Sequence, residues 1–252
     1  MTRSVVTVFA LAMAFAACAS WSGYAAAQSG AAAHPDFSGL WFPAGRTQAP
    51  QQAPYTDGAK TLLAEYEKSF TLDDDPGRYC IWPGMPRAVW GAPFTVEIQQ
   101  RPQDVTIYWE GYGMYRKIYM ADRNPPKPIL PSAMGHSVAR WEGDTLVVET
   151  SNLKPYPYMT RMATSSDATV VERIRLETRD FQGKPTRFIV NELVLTDPKV
   201  YKEPIKITAT LRDRPDLSLL EYTCTDTLWE EYLGQRGLTL PDIDALPDPE
   251  DR

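Results

Sequence analysis

Apolar and polar residues alternate along much of the chain, with the two-residue period of a half-buried β-strand. Segment 205–212 shows the pattern clearly, since Ile, Ile, Ala and Leu occupy every second position and Lys, Thr, Thr and Arg lie between them. Similar segments, rich in Val, Ile, Thr and Tyr, follow one another with turns between them. We predict β-strands at 94–100, 105–110, 114–120, 137–142, 145–152, 169–179, 187–196, 205–212 and 219–225.

This succession of strands indicates an all-β fold, which a further short strand opens at 36–41. Strands joined in series by turns favour an antiparallel barrel or a sandwich over alternating strands and helices. Closure also removes exposed strand edges. Apolar residues at helical spacing predict one short helix at 58–70, and a second is predicted at 226–233. We therefore predict one antiparallel β-barrel domain over 36–240 with one or two short peripheral helices.

The dipeptide Gly143–Asp144 lies between two strand-forming runs and predicts a tight β-hairpin. A two-residue loop determines the register, which places Trp141 opposite Leu146 and Ala139 opposite Val148 on one apolar face. The other face is mixed and carries Val138, Arg140, Val147 and Glu149.

Composition and charge exclude several functions. The net charge of −6 argues against nucleic-acid binding, which requires a basic surface. No run of like charge suggests an anionic membrane surface. With 252 residues and 43% apolar content, the chain is long enough for one large all-β domain or two small domains.

The two ends of the chain do not belong to the predicted barrel. Residues 1–27 have the basic start, apolar run and small-residue end of an export signal, and the apolar run is too short for a stable membrane span. The alternative is a lipoprotein site at Cys18. Residues 28–35 form a flexible leader with a solvated His34, and 241–252 an acidic, disordered tail. We expect a periplasmic or secreted protein.

Removal of the export signal leaves Cys80 and Cys224. In an oxidising compartment a disulfide between them is the natural inference, and it would tie the segment before the first long strands to the last strand. The alternative is two separate buried thiols, because the sequence does not show that they meet.

Two charged residues alternate with apolar ones and are therefore predicted to point inward. Glu172 shares a face with Val170 and Ile174, and Arg116 shares a face with Met114 and Ile118. An unpaired buried charge is costly, so Arg116 and Glu172 are expected to pair. Glu110 joins that face only in one register of the Gly111–Gly113 turn. The pair is either part of a catalytic set or a structural plug in the barrel.

His136 is the candidate proton shuttle outside the leader. Glu149 lies diagonally across the predicted hairpin on the same face, where a carboxylate can orient the ring. Ser137 points to the opposite face, which argues against a Ser-His dyad. The alternative is a histidine that is hydrogen-bonded at the start of a strand.

Aromatic residues, one methionine and one arginine form the predicted ligand-binding set. The turn-rich segment 80–87 either presents Trp82, Met85 and Arg87 at a pocket mouth, where the arginine can address an anionic group, or only wraps the disulfide. Two long connections, 121–135 and 153–168, are candidate lids. The predicted set is Trp82, Met85, Arg87, Tyr108, Tyr156 and Tyr158. We expect no metal and no cofactor, because the sequence has neither a ligand cluster nor a phosphate or dinucleotide fingerprint.

Several motifs follow one another along the chain. They are Asp-Phe-Ser-Gly-Leu-Trp ending at Trp41, Cys80 with Pro-Gly-Met-Pro-Arg87, the hairpin 135–150, Glu172-Arg173 and Asp197-Pro198. Together they resemble a large group of exported, lipocalin-like proteins of proteobacteria, and the resemblance covers most of the chain after the export signal. It implies a lipocalin-like β-barrel with a small-molecule cavity, and some relatives look like participants in the catabolism of aromatic or other hydrophobic compounds. Ala139 departs from the motif, in which glycine is frequent.

Two functions agree with these residues. The first is a cofactor-independent lyase or isomerase for a small hydrophobic, aromatic compound, in which His136 moves a proton and Arg116 or Arg87 stabilises negative charge. Glu172, Glu110 or a tyrosine completes the acid-base set. The second is a binding protein that carries the same kind of compound unchanged. An envelope factor that binds protein chains is a third hypothesis, which an exposed apolar patch would favour.

Overall fold

The computed structural model describes residues 34–50, 52–71, 74–82, 84–90, 94–128, 130–156 and 162–238. These residues form a closed β-barrel of nine strands, which neighbour one another in chain order. The predicted all-β barrel is confirmed. The strands are β1 Gly39–Pro43, β2 Val96–Gln100, β3 Asp104–Trp109, β4 Met114–Met120, β5 His136–Glu142, β6 Thr145–Ser151, β7 Thr169–Phe181, β8 Lys184–Thr196 and β9 Ile205–Asp213. The predicted export signal and the predicted acidic tail lie outside the described residues.

Short helices lie outside the barrel. They are α1 Asp57–Tyr66, α2 Arg87–Trp90 and α3 Cys224–Gln235. The first begins where the Thr56 hydroxyl accepts a hydrogen bond from the backbone N–H of Ala59 at 3.2 Å. Within the described part of the chain, no helix has the length and apolar character needed to cross a membrane.

One pair of neighbouring strands is parallel, which corrects the prediction of a purely antiparallel barrel. β4 and β5 run in the same direction, with Ile118 opposite Ser137. Nine strands close the barrel, and strand direction cannot alternate all the way round a ring with an odd number of members. One parallel pair is therefore required, and a parallel pair needs a long crossover connection. Segment 121–135, predicted as a lid, provides that crossover.

The prediction of a last strand at 219–225 is wrong. Residues 217–223 have no strand structure, and Cys224 is the first residue of α3. The barrel closes without this segment, because β1 pairs with β9 through Trp41 and Asp213. No strand edge of the closed barrel remains for it to join.

The predicted hairpin is confirmed in detail. Trp141 lies opposite Leu146, and Ala139 lies opposite Val148. Gly143 has φ of +60°, the left-handed conformation that a tight turn requires. The mixed face is the outer one, where Arg140 forms an ion pair with Glu149. Glu149 thus contacts Arg140 on this face.

The strand directions give the barrel two different ends. The short turns 101–103, 143–144 and 182–183 lie at one end, which we call the closed end. At the opposite end, the loop end, lie the connections 44–95, 110–113, 152–168 and 197–204. Long connections therefore gather at the loop end, which is where binding residues are most often found in such folds.

Aromatic packing covers the closed end. The Trp41 side chain is fully buried, and its indole N–H donates to the carbonyl oxygen of Phe37 at 2.9 Å. The Arg187 guanidinium lies 5.0 Å from the centre of the Trp41 ring. His34, predicted to be solvated, is exposed but stacks on Trp141 with ring centres 4.3 Å apart.

Candidate functional site

The barrel interior contains the predicted Arg116–Glu172 ion pair. Arg116 is 1% exposed and Glu172 is fully buried. Both guanidinium Nη atoms donate to the carboxylate, with Nη1 to Oε1 at 3.2 Å. The two-residue period of β4 and β7 puts both residues on the inner face, so the pairing follows from the alternation of the sequence.

Three uncharged residues complete this interior network, and the sequence analysis did not predict them as members. Arg116 Nε donates to Ser137 Oγ at 3.0 Å, and Nη2 donates to Thr150 Oγ1 at 2.8 Å. Asn191 Nδ2 donates to Glu172 Oε1 at 2.8 Å. Alternation on β5, β6 and β8 could have identified these inward polar positions. The network satisfies most of the polar atoms that the ion pair brings into the interior.

His136 does not join the interior network. It occupies the position next to Ser137 on β5, so its side chain lies on the outer face. Its Nε2 atom is 2.8 Å from the carbonyl oxygen of Pro126, and the ring stacks on Tyr119 at 5.7 Å. Of the residues predicted for a catalytic set, Arg116 and Glu172 thus lie together inside the barrel, and His136 lies on the outer face of the barrel wall.

Glu110 also lies apart from the interior pair. It precedes the short 3₁₀ turn Gly111–Gly113 at the loop end. Its carboxylate Oε2 accepts a hydrogen bond from the backbone N–H of Leu220 at 3.1 Å. This contact holds the segment before α3 against the barrel.

A second polar site lies at the loop end and contains predicted ligand-binding residues. Arg87 Nη2 donates to Asp75 Oδ2 at 2.8 Å, and Nη1 donates to Asp75 Oδ1 at 3.1 Å. Nη1 also donates to the Tyr156 hydroxyl at 3.0 Å. Arg87 and Tyr156 are 69 positions apart, so only the fold brings them together.

Aromatic rings adjoin this arginine. Trp82 packs against Tyr112 at 5.1 Å and against Trp109 at 6.0 Å. The Tyr112 hydroxyl donates to the carbonyl oxygen of Gly77 at 3.0 Å. The indole N–H of Trp82 is buried and has no hydrogen-bond partner among the described residues. We call the set Asp75, Trp82, Arg87, Tyr112 and Tyr156 the loop-end cluster.

The backbone around residues 84–86 positions this cluster against the crossover segment. Gly84 has φ of +69°, and a Cβ atom there would lie 2.1 Å from the carbonyl oxygen of Ala133. Met85 donates its backbone N–H to the same carbonyl at 2.9 Å. Met85 is 2% exposed and packs in the hydrophobic core, so its role is structural and it does not line the site.

Asp75 supplies the carboxylate of the loop-end cluster and is largely buried. The Asp75 side chain is 11% exposed and forms the ion pair with Arg87. It also accepts from the backbone N–H of Gly77 at 3.0 Å. Asp74, in contrast, is exposed, and its carboxylate accepts a hydrogen bond from the backbone N–H of Thr71.

Two further predicted ligand-binding residues do not contribute to the cluster. Tyr108 lies opposite Tyr115 on β3 and β4, on the outer face, with ring centres 6.2 Å apart. It alternates with Ile107 and Trp109, which point into the core. Tyr158 lies outside the described residues.

Ionisation at the loop end follows from burial and from the neighbouring groups. Burial lowers the pKa of Arg87, but hydrogen bonds and charge from Asp75 and Tyr156 outweigh it, so the pKa lies above its ordinary value. Burial, together with the nearby Tyr222, raises the pKa of Tyr112. Arg87 is therefore a permanent cation, and Tyr112 is a neutral hydroxyl at neutral pH.

The predicted disulfide is confirmed between Cys80 and Cys224. Disulfides are typical of proteins outside the cytoplasm. The bond joins the loop-end segment to α3 rather than to a strand, which corrects the predicted connection. An open cleft of about 650 Å³ lies beside it, lined by Arg78, Tyr79, Glu221, Tyr222, Thr223, Cys224, Thr227, Leu228 and Glu231.

The other motif residue with a buried carboxylate, Asp197, has a structural role. It accepts from the backbone N–H of Ser165 at 2.6 Å and from the Ser165 hydroxyl at 2.9 Å. It thereby links the two loop-end connections 152–168 and 197–204. Within the described ranges, no three His, Cys, Asp or Glu side chains lie close enough together to hold a metal ion.

Comparison with known proteins finds no matching family model, no matching curated protein and no matching solved structure. The functional assignment therefore depends on the geometry of the two polar sites.

Proposed function

We propose that the protein is a lipocalin-like binding protein for a small hydrophobic, aromatic compound, and that the compound enters at the loop end. One observation carries the proposal: the buried indole N–H of Trp82, which packs against Tyr112 in the loop-end cluster, has no hydrogen-bond partner in the part of the chain that the structure describes. A buried unpaired donor costs about 1–3 kcal/mol. An aromatic ligand with a hydrogen-bond acceptor removes this cost and stacks on the neighbouring rings.

The placement of the predicted residues supports binding over the lyase or isomerase function. Arg116 and Glu172 neutralise each other within a network that the protein's own side chains largely satisfy. His136 lies on the outer face and does not contact them. We further propose that residues 1–27 direct export to the periplasm, where the Cys80–Cys224 disulfide forms.

Naphthalene derivatives test the binding function. We expect 2-naphthoate, an aromatic carboxylate, to bind saturably and to quench tryptophan fluorescence. Trp82→Phe retains an aromatic ring but removes the N–H donor, so we expect binding of 2-naphthoate to weaken about tenfold, or about 1.4 kcal/mol. Naphthalene has no acceptor and should lose much less affinity. Isothermal titration calorimetry measures both affinities.

Trp229→Phe is the matched control, because Trp229 is 51% exposed on α3 and outside the cluster. An equal loss of affinity in Trp229→Phe and Trp82→Phe would place the ligand elsewhere. Absence of saturable binding by both compounds would reject the binding function.

A second candidate function, proton transfer on an aromatic compound, is favoured by the contact between Arg87 and the Tyr156 hydroxyl. A guanidinium that donates to a phenol oxygen stabilises the phenolate, which can then accept a proton from carbon. Under this proposal Tyr156 is the acid-base group and Arg87 stabilises negative charge, so neither role requires His136.

The ketone 2-tetralone, which has acidic C–H bonds beside its carbonyl, tests this second function. If the protein moves protons, it should accelerate the exchange of these C–H hydrogens for deuterium in D₂O, relative to buffer without protein. NMR measures the exchange rate, and Tyr156→Phe should abolish the acceleration. Tyr115→Phe, at a residue 61% exposed on the outer face, should leave it unchanged. Exchange at the buffer rate would reject catalysis of this kind and leave the binding function intact.

A further inference from the structure

A cleft of about 530 Å³ lies at the closed end, at the opposite end of the barrel from the loop-end cluster. One wall is the tip of the β7–β8 hairpin, with Phe181 and Lys184, and the other is the end of β9 with the residues that follow it. Leu211 packs against the core, so Arg212, the next residue on β9, points outward and lines the cleft. We call this solvent-accessible space the closed-end cleft.

The carboxylates of the closed-end cleft are neutralised by arginines. Arg214 donates to both oxygens of Asp216, from Nε at 2.8 Å and from Nη2 at 2.7 Å. Arg187 Nε donates to Asp213 Oδ2 at 2.9 Å. Each acid of the cleft thus has its own arginine, so any further cation that lines the cleft has no carboxylate left to balance it.

Lys184 and Arg212 are the further cations. Among the residues that the structure describes, neither side chain forms an ion pair with a carboxylate or donates a hydrogen bond. The Arg212 guanidinium lies 4.2 Å from the centre of the Phe181 ring, a contact that holds the cation in place. In a chain with a net charge of −6, the cleft is therefore a local concentration of positive charge.

The charge and the donors of the cleft select the kind of anion. A phosphate monoester carries a charge of about −1.5 to −2 near neutral pH, which matches two uncompensated cations better than the single charge of a carboxylate does. Its three terminal oxygens can accept from the planar fork of Arg212 and from the ammonium group of Lys184 at the same time. The side-chain amide of Gln182, which also lines the cleft, offers neutral donors.

Phe181 adds an apolar surface to the same cleft. Its side chain is 36% exposed, and its ring contacts the edge of Phe188 with ring centres 6.3 Å apart. An inorganic ion would leave the exposed part of this ring in water. The organic group of a phosphate monoester can instead pack on it and remove apolar surface from water.

We propose that the closed-end cleft binds an organic phosphate monoester, with Arg212 and Lys184 on the phosphate and Phe181 against the organic group. The inference does not depend on the proposed binding function, because it concerns the opposite end of the barrel. A soluble aryl or alkyl phosphate and the headgroup of phosphatidic acid present the same chemical group, and the experiment distinguishes them.

Phenyl phosphate is the soluble probe, and phosphatidylcholine vesicles that contain phosphatidic acid are the membrane probe. We expect saturable binding at low ionic strength, measured by calorimetry for phenyl phosphate and by co-sedimentation for the vesicles. Binding of phenyl phosphate alone identifies a soluble ligand, and binding of the vesicles identifies a lipid headgroup. Arg212→Met should weaken the binding about tenfold. Lys184→Met should do the same, and its exposed position at the hairpin tip provides the result if Arg212→Met does not fold.

Lys202→Met is the matched control. Lys202 pairs with Asp57 at the loop end, so this variant loses the same charge without changing the cleft and should bind as the wild-type protein does. Trp82→Phe should also bind phenyl phosphate normally. Absence of binding by both probes overturns the inference and leaves the loop-end binding function intact. A loss in Lys202→Met as large as in Lys184→Met also overturns it, because only the overall charge would then matter.

Discussion

Replacing Glu172 with leucine is expected to lower the free energy of unfolding by about 3–5 kcal/mol. The substitution leaves the Arg116 guanidinium in the barrel interior, where it is 1% exposed and without its carboxylate. Ser137 and Thr150 still accept from it, but neither carries a compensating charge. Urea denaturation followed by circular dichroism measures the loss.

The double variant Arg116→Met with Glu172→Leu should be much more stable than either single variant. Removing both charges together avoids the isolated buried ion, and apolar side chains of similar volume can replace a buried pair at little cost. Losses that simply add in the double variant would show that the two residues act independently.

Arg173→Met provides the matched control for the ion pair. Arg173 follows Glu172 on β7 but lies on the outer face, where it pairs with Glu142 and its side chain is 48% exposed. An exposed pair contributes about 0–1 kcal/mol, so the control should lose little stability. A loss as large as that of Glu172→Leu would contradict the assignment of the effect to burial.

Loss of the Cys80–Cys224 bond is expected to lower the free energy of unfolding by up to about 5 kcal/mol. The two cysteines are 144 positions apart, so the bond strongly restricts the unfolded chain. The measurement compares thermal unfolding of the wild-type protein with the Cys80→Ser and Cys224→Ser double variant. Dithiothreitol should destabilise the wild-type protein and leave the double variant unchanged.

The weak packing of α3 determines where the change is first seen. Leu233 is its buried residue, and Trp229 and Tyr232 are half-exposed and stack on each other at 5.4 Å. Without the covalent bond, α3 should separate from the barrel and become the first site of proteolysis. If α3 remains as protected as in the wild-type protein, packing rather than the disulfide holds it in place.

The burial of Arg116 and Glu172 was predictable because strand geometry is local. A two-residue period places every second side chain on one face. Arg116 and Glu172 occupy the same alternate positions as apolar residues of their strands, so they point into the interior as those residues do. The hairpin register was predictable for a similar reason, since the Gly143–Asp144 turn determines which residues face each other. Both inferences need only neighbouring residues in the sequence.

The convergence of a functional set was less predictable. Arg87 and Tyr156 were separate predictions, and their contact depends on two loops that meet only at the loop end. The role of Asp75 was not predicted, because the sequence does not reveal that an arginine from a later segment will contact it. His136 was grouped with interior charges although it lies on the other side of the barrel wall.

The sequence by itself determined the strands β1 to β9 approximately, their inner and outer faces, the hairpin turn and the pair of cysteines. Each of these follows from short-range periodicity, turn chemistry or residue count. Only the tertiary structure decided the parallel β4–β5 pair, the helical start at Cys224 and the loop-end cluster. The physical reason is closure: the number of strands in the ring and the contacts between distant loops depend on the whole chain at once.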